Sequence, residues 1–466
     1  MGLQSLFFIF LIVPIAFLIS LIPWKQVRNG LLLLLGLLFV AWQDVEAFPV
    51  IIFMSLFTYG MGLGIGHAIS KEKDPKVWKW IGVGLNLLIL AALKIAVTAD
   101  VFPGMPTGYS FFAFIAISYL MDIQRRKVPA EKNPFKVANY LLYFPRFISG
   151  PLARWKNFEA ESQEKPQPLA QKVKGFDRFI VGLAKKVLIA DVIGEWLNFG
   201  IFQQEIPAVT TGTAWLMLLF FGIQLYYDFA GYTDMAIGLS QLFGIQLPEN
   251  FNLPYTASSI TDFWRRWHIT LSHWFREYVF MPLEWKRRKK KWLKQWMNTL
   301  IIFLLTGLWH GVSLNFVIWG LMHGGAIVLE QNKKIGPKIK QWYKPWQHVY
   351  TLMIVLISWV FFRAPSFKYA LHWLKALIGF GEPVNRVGYS VLPIIGSTVW
   401  IAFFIGIIFA TGVLPKVWQK FVKLLPEERY SNGFIWAQRS IYIILLVLCI
   451  MMMTTTAVQP VIYGGF

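Results

Sequence analysis

Residues 306–324, TGLWHGVSLNFVIWGLMHG, place two of the chain's seven histidines, His310 and His323, in a segment apolar enough for a lipid bilayer. An imidazole has two polar ring nitrogens that need partners in hydrocarbon, so such a histidine serves either the fold or proton transfer. Imidazole titrates near neutrality and accepts a proton in its neutral form. Held in position, it accelerates proton transfer by roughly 10²–10⁴-fold. Its natural task here is to take the proton from a hydroxyl attacking an activated acyl group, chemistry that needs neither a covalent enzyme intermediate nor a metal. The alternative is a hydrogen-bonded core histidine.

A third histidine lies in YTASSITDFWRRWHITLSHWFREYVFMPL, residues 255–283. Ser259 followed by Asp262 has the spacing of a capping box and predicts a helix starting near Ile260. Trp264, Trp267, His268, Leu271, Trp274, Phe275 and Tyr278 then recur at helical spacing, so one continuous helix would carry His268 on its aromatic face. Arg265, Arg266, Arg276 and Glu277 mostly fall off that face. His268 and His273 stand five apart, about 140° around a helix, so the i, i+4 pair of a helical zinc site is missing. No GxSxG elbow occurs, and the lone Cys449 lies in a C-terminal apolar run, which excludes an internal disulfide. Metal-hydrolase and serine-hydrolase chemistry are therefore disfavoured.

The elements that would position these residues are membrane helices. The chain has 466 residues, 56% hydrophobic and 15% charged, and its mean hydropathy is +0.51. This composition implies an all-α polytopic membrane protein. Candidate spans are about 3–23, 30–42, 47–69, 77–99, 107–122, 177–199, 211–230, 297–329, 349–363, 393–414 and 435–458. The first lacks a basic n-region and a cleavage site, so it is expected to be a retained helix. The net charge of +21 comes from clusters in short loops: Lys25/Arg28, Lys71–Lys79, Arg125/Arg126/Lys127, Lys172–Lys186, 286–294 and Lys333–Lys344. That is the positive-inside pattern, and no nucleic-acid module is legible. The run 286–294, KRRKKKWLK, suits anionic headgroups, or a polyanionic donor such as coenzyme A. GMGLGIG at 60–66 follows no strand, so its Gly60/Gly64 and Gly62/Gly66 pairs are expected to pack helices closely. Interrupted apolar pieces such as 137–151 predict re-entrant and tilted helices over roughly 137–330, within a single membrane domain spanning 1–466.

Beyond these readings, YDFAGYTDMAIGLSQLFGIQLPENFNLPY (227–255), DFWRRWHITLSHWFREYVFMPL (262–283), GLWHG…WGLMHG (307–324) and FPRFISGPLARWKNF (144–158) resemble the membrane-bound O-acyltransferase (MBOAT) family. The likeness is strongest to the bacterial branch that includes the alginate O-acetylation membrane protein and the teichoic acid D-alanine transfer protein. It runs nearly from end to end, from VRNGLLLLLGLLFVAW to the closing PVIYGGF. It implies a funnel of about 11 transmembrane helices, with short and re-entrant helices around a central tunnel. The family's invariant histidine falls on His310 and its RWH-motif histidine on His268. Asp228, Tyr232, Asp234, Asn250 and Asn252 match polar family positions. Trp309, His323, Asn315, Asp262, Trp264, Arg266, Trp267 and Ser272 complete the set expected to line or support the tunnel. At one place the chain departs from alginate-type relatives, because Pro282-Leu283 runs into EWKRRKKKW instead of a Gly-Gly-Asn-Arg stretch. This points away from alginate itself as acceptor.

The resemblance implies a multi-pass protein of the bacterial cytoplasmic membrane. It would move an acyl group, acetyl first, from a cytosolic thioester for O-acetylation of an extracytoplasmic polysaccharide. His310 would be the base and His268 its assistant. No tightly bound cofactor is expected; acetyl-CoA, or another acyl thioester, is the donor substrate. The expected partners are the lipid bilayer, an extracytoplasmic SGNH-type esterase-like protein, and a polysaccharide reached directly or through that protein. D-alanyl transfer to teichoic acid from a carrier-protein thioester is an alternative. A transporter for a lipid-linked substrate or polysaccharide is another, of a different class.

Overall fold

A computed structural model describes residues 2–102, 104–162, 166–198, 210–289, 295–380, 395–413, 417, 432–455 and 461–462. The described residues form helices and connecting turns, with no strand among them. Helices are what a bilayer permits, because they pair every backbone N–H and C=O within one segment. Six described helices are long and apolar enough to cross a membrane: Lys25–Gln43, Phe48–Ser70, Lys76–Thr98, Thr211–Leu242, Lys344–Arg363 and Trp436–Thr455. Phe8–Leu21, Tyr109–Gln124 and Ser397–Ala410 are shorter and apolar. Large apolar side chains such as Phe10, Phe53, Leu88 and Ile443 lie exposed along these helices, as lipid-facing surfaces require.

Two expected spans differ in the structure. The run 297–329 is two helices, Gln295–His310 and Leu314–Gln331, separated at Gly311. The run 211–230 continues to Leu242 as one 32-residue helix. Of the closing PVIYGGF only Val461 and Ile462 are described, and of the basic run 286–294 the last five residues lie outside the described residues.

The described chain groups into two compact units. One comprises Met1–Leu183, Gly231–Glu249 and Pro460–Phe466; the other comprises Ala184–Ala230 and Asn250–Gln459. In the first, Phe48–Ser70 packs against Tyr109–Gln124. A Cβ on Gly62 would meet the Tyr119 ring at 3.0 Å, and one on Gly66 the Ala130 methyl at 2.6 Å. The Gly62/Gly66 pair thus permits the expected close approach. The Gly60/Gly64 pair does not act as a unit, since Gly64 sits under Trp78 while Gly60 faces open space.

Burial corrects another expectation. Lys172 and Lys186, read as ends of a basic loop cluster, are both buried. Lys172 Nζ donates to the Ser20 carbonyl and hydroxyl at 2.6 and 2.8 Å. Lys186 lies in a π-helical turn, Lys185–Asp191, whose wider winding brings residues five apart together.

Candidate functional site

The segment expected to be one helix from 260 to 278 is three elements. Ser259 caps the short helix Ile260–Trp264, its hydroxyl accepting from the Asp262 N–H at 3.0 Å, as its spacing predicts. The chain then breaks, and His268 adopts left-handed backbone angles, φ 44° and ψ 52°. A second helix, Ile269–Phe275, starts there and passes into a π-helical turn, Arg276–Phe280. Left-handed geometry costs a non-glycine residue roughly 1–2 kcal/mol, so the surroundings must impose it. They do so through residues 250–252. The Ile269 N–H donates to the Asn250 carbonyl at 3.0 Å, and the Asn252 N–H donates to the Arg266 carbonyl at 2.9 Å. This two-point clasp holds the 266–269 corner from the segment just upstream of its helix.

The Asn250 side chain adds a third attachment. Its Oδ1 accepts from the Thr270 N–H at 3.2 Å and from the Thr270 hydroxyl at 2.9 Å, and it lies 3.2 Å from His268 Nδ1. The His268 imidazole is buried, with the Phe229 ring edge-on at 4.8 Å and the Trp309 indole at 6.3 Å.

His310 closes the Gln295–His310 helix, and Leu314–Gln331 returns against it. Two glycines permit that approach. A Cβ on Gly307 would strike the Phe316 carbonyl oxygen, and one on Gly320 the Phe303 carbonyl oxygen. The Asn315 amide then ties the second helix down by donating to the Ala364 carbonyl at 2.8 Å. The His310 ring is buried among Trp309, Phe362, Trp319 and Phe316, at 4.6, 5.0, 5.1 and 6.0 Å. Trp309 therefore lies beside both His268 and His310.

His323 is held differently. The Trp264 indole N–H donates to its Nδ1 at 3.3 Å, and its Nε2 is 2.9 Å from the Ser358 hydroxyl. The single hydroxyl proton of Ser358 goes to the Val355 carbonyl at 2.7 Å. Nε2 must then be the donor to Ser358, and Nδ1 the acceptor from Trp264. Both ring nitrogens are engaged, and the ring stacks near Phe263 and Phe303 at interplanar angles of 13° and 22°.

The remaining expected residues fall into separate clusters. Trp267 is buried against Phe251, Trp359 and Phe263. Arg266 Nε donates to both Asp262 oxygens at 3.0 Å in a partly exposed pair. Ser272 and Trp264 line a cavity of about 370 Å³, together with Leu271, Phe275, Phe303 and Thr306. A second cavity of about 580 Å³ shares Thr261, Arg265, Gln295 and Gln331 with it and carries Lys333 and Lys340 on its wall. Tyr232 and Asp234 belong to the first unit, where the Tyr232 hydroxyl donates to the Pro145 carbonyl at 3.4 Å. Asp234 there pairs with Arg178 at 2.8 Å, and Arg178 also grips Glu249 at 2.5 Å.

Asp228 has partners that sequence reasoning missed. Lys186 Nζ donates to Asp191 Oδ1 and to Asp228 Oδ1, both at 2.6 Å, and all three side chains are at most 4% exposed. The signal was present in LAKKVLIAD, where two lysines and an aspartate stand inside an otherwise apolar run. Buried charges in such segments come paired. Among the described residues, no group of three His, Cys, Asp or Glu side chains is placed to hold a metal ion.

Comparison with known proteins adds the following. The MBOAT family model, membrane-bound O-acyltransferase family, matches residues 5–371. The chain is 32% identical to a probable alginate O-acetylase AlgI of Pseudomonas putida, covering 98% of this chain and 99% of that one. It is 35% identical to a peptidoglycan O-acetyltransferase of Helicobacter pylori over 59% of this chain and 57% of the relative. It is 33% identical to a teichoic acid D-alanyltransferase of Bacillus subtilis over 46% of this chain and 56% of the relative.

Proposed function

Because this multi-pass chain belongs to the membrane-bound O-acyltransferase family, we propose that it carries acetyl from a cytosolic thioester for O-acetylation of an extracytoplasmic polysaccharide. Acyl transfer itself follows from the family; the donor, the acceptor and the residue roles are our reading. Its main support is the end-to-end similarity to an alginate O-acetylase, in a chain that gathers His268 and His310 around one buried tryptophan.

His310 acts as the base. It takes the proton from the acceptor hydroxyl as that oxygen bonds to the acyl carbon; the C–S bond of the thioester breaks, and the thiol leaves with the proton. His268, which also lies beside Trp309, assists. His323, with both nitrogens engaged in the core, supports the fold. The donor is acetyl-CoA, whose phosphates suit the wall carrying Lys333 and Lys340. The extracytoplasmic partner is an SGNH-type esterase-like protein that passes acetyl to the glycan. Similarity to the D-alanyltransferase spans less than half of this chain, which favours acetyl over D-alanyl.

The test is His310→Ala in membranes supplied with radiolabelled acetyl-CoA, reading released CoA and labelled product. The expected outcome is normal insertion with transfer lowered roughly 10²–10⁴-fold. An inserted His310→Ala protein that transfers acetyl normally refutes the role of His310. A wild-type protein that binds or moves substrate without releasing CoA points to a transporter.

A further inference from the structure

We propose that Asn250 is the positioning residue of His268: its amide oxygen holds the imidazole as the Nδ1–H tautomer and so leaves the proton-accepting lone pair on Nε2. The Thr270 backbone N–H can only donate, and it points at the Asn250 amide 3.2 Å away. Turning that amide over would set its NH₂ against this N–H, donor against donor. The oxygen therefore faces Thr270, and the Thr270 hydroxyl reinforces it at 2.9 Å. The same oxygen lies 3.2 Å from His268 Nδ1. An amide oxygen only accepts, so Nδ1 must carry the hydrogen. In a neutral imidazole the other nitrogen, Nε2, is then the acceptor.

The backbone makes this arrangement stiff. Asn250 holds the corner with its carbonyl as well as its side chain, through the Ile269 N–H at 3.0 Å, and Asn252 adds the second tie to Arg266. His268 is left-handed at the corner, and its ring lies with Nδ1 against Asn250. One asparagine thus sets the backbone, the ring orientation and the tautomer of a single histidine. This is the arrangement by which an assisting histidine is kept in its accepting form. The catalytic consequence rests on the acyl-transfer reading of His268; the tautomer assignment does not.

The tautomer is read directly from the full-length protein, labelled with ¹⁵N-histidine and reconstituted in phosphatidylethanolamine–phosphatidylglycerol bilayers. Solid-state spectra of wild type minus His268→Gln isolate the His268 nitrogens. The expected signature is a protonated Nδ1 and an unprotonated Nε2. Asn250→Ala is expected to lose it, whereas Asn250→Asp, which keeps an acceptor oxygen in place, retains it. An Nε2–H signature in the wild type, or an unchanged signature in Asn250→Ala, overturns the proposal. If Asn250→Ala does not insert, the wild-type and Asn250→Asp spectra carry the test, and Nε2–H in either overturns it.

The consequence for catalysis is read with acetyl-CoA as the probe. Asn250→Ala should lose about 100-fold in transfer, toward the low end of what a positioned base contributes, and Asn250→Asp should recover at least a tenth of the wild-type rate. In a His268→Ala background, Asn250→Ala should cost nothing more, because residues acting as a unit are non-additive. Full additivity overturns the link between Asn250 and His268 while leaving acyl transfer standing. An unimpaired His268→Ala protein instead removes His268 from the reaction and leaves the tautomer to the spectra.

Discussion

Replacing Lys186 by methionine keeps most of the length of the side chain and removes one buried charge from between two carboxylates. In the native structure its ammonium is 2.6 Å from both Asp191 and Asp228, and none of the three groups is more than 4% exposed. At an effective dielectric of 20, each contact is worth about 6 kcal/mol of Coulomb attraction, offset by several kcal/mol of desolvation for each ion. The intact cluster is thus close to neutral for stability, but breaking it is not. Lys186→Met leaves two carboxylates facing each other in a dry environment, and removal of one partner from a buried ion cluster costs roughly 3–5 kcal/mol. Asp228→Asn leaves Lys186 paired with Asp191 and should cost about 1 kcal/mol, the worth of a weakened hydrogen bond. The assay is thermal unfolding in detergent, where a protein unit of this size moves roughly 2 °C per kcal/mol. Lys186→Met should melt about 6–10 °C below wild type, and Asp228→Asn within about 2 °C of it. Adding Asp191→Asn and Asp228→Asn to Lys186→Met should recover most of the loss, because no unpaired charge then remains. The reasoning is refuted if Lys186→Met melts like wild type, or if Asp228→Asn falls as far as Lys186→Met.

Three further substitutions test packing, one beside His323 and two within the first unit. Ser358→Ala removes the hydroxyl that His323 Nε2 donates to, and leaving that N–H buried should cost about 1–3 kcal/mol; the melting shift measures it, and no change would refute the assigned tautomer of His323. Gly62→Leu should lower stability sharply and Gly60→Leu should not. A side chain on Gly62 enters the Tyr119 ring, whereas Gly60 faces open space; equal melting points for the two variants would refute the packing assignment.

The candidate site was legible in part. His310 and His268 stand out as polar rings in apolar, aromatic-rich text, and the Ser259 cap was readable because a cap is a local hydrogen bond over three residues. The corner at His268 was not readable. Its aromatic spacing fits an unbroken helix, and the clasp from Asn250 and Asn252 overrides that spacing by taking the Arg266 carbonyl and the Ile269 N–H. The engagement of His323 was equally hidden, since its partners Trp264 and Ser358 lie 59 residues upstream and 35 downstream.

What the sequence determined by itself is whatever depends on composition and short-range period. Hydropathy established the membrane helices and the all-α class, because a bilayer excludes unpaired backbone. The motifs around His268 and His310 carried the resemblance to the family whose model matches residues 5–371. The tertiary structure decided which atoms face each other. It turned the charges of Lys186, Asp191 and Asp228 into one buried cluster, split residues 297–329 into two close-packed helices at Gly311, and brought Asn250 Oδ1 to His268 Nδ1. Which nitrogen of a histidine holds its proton is set by a neighbour across space, and no period along the chain encodes it.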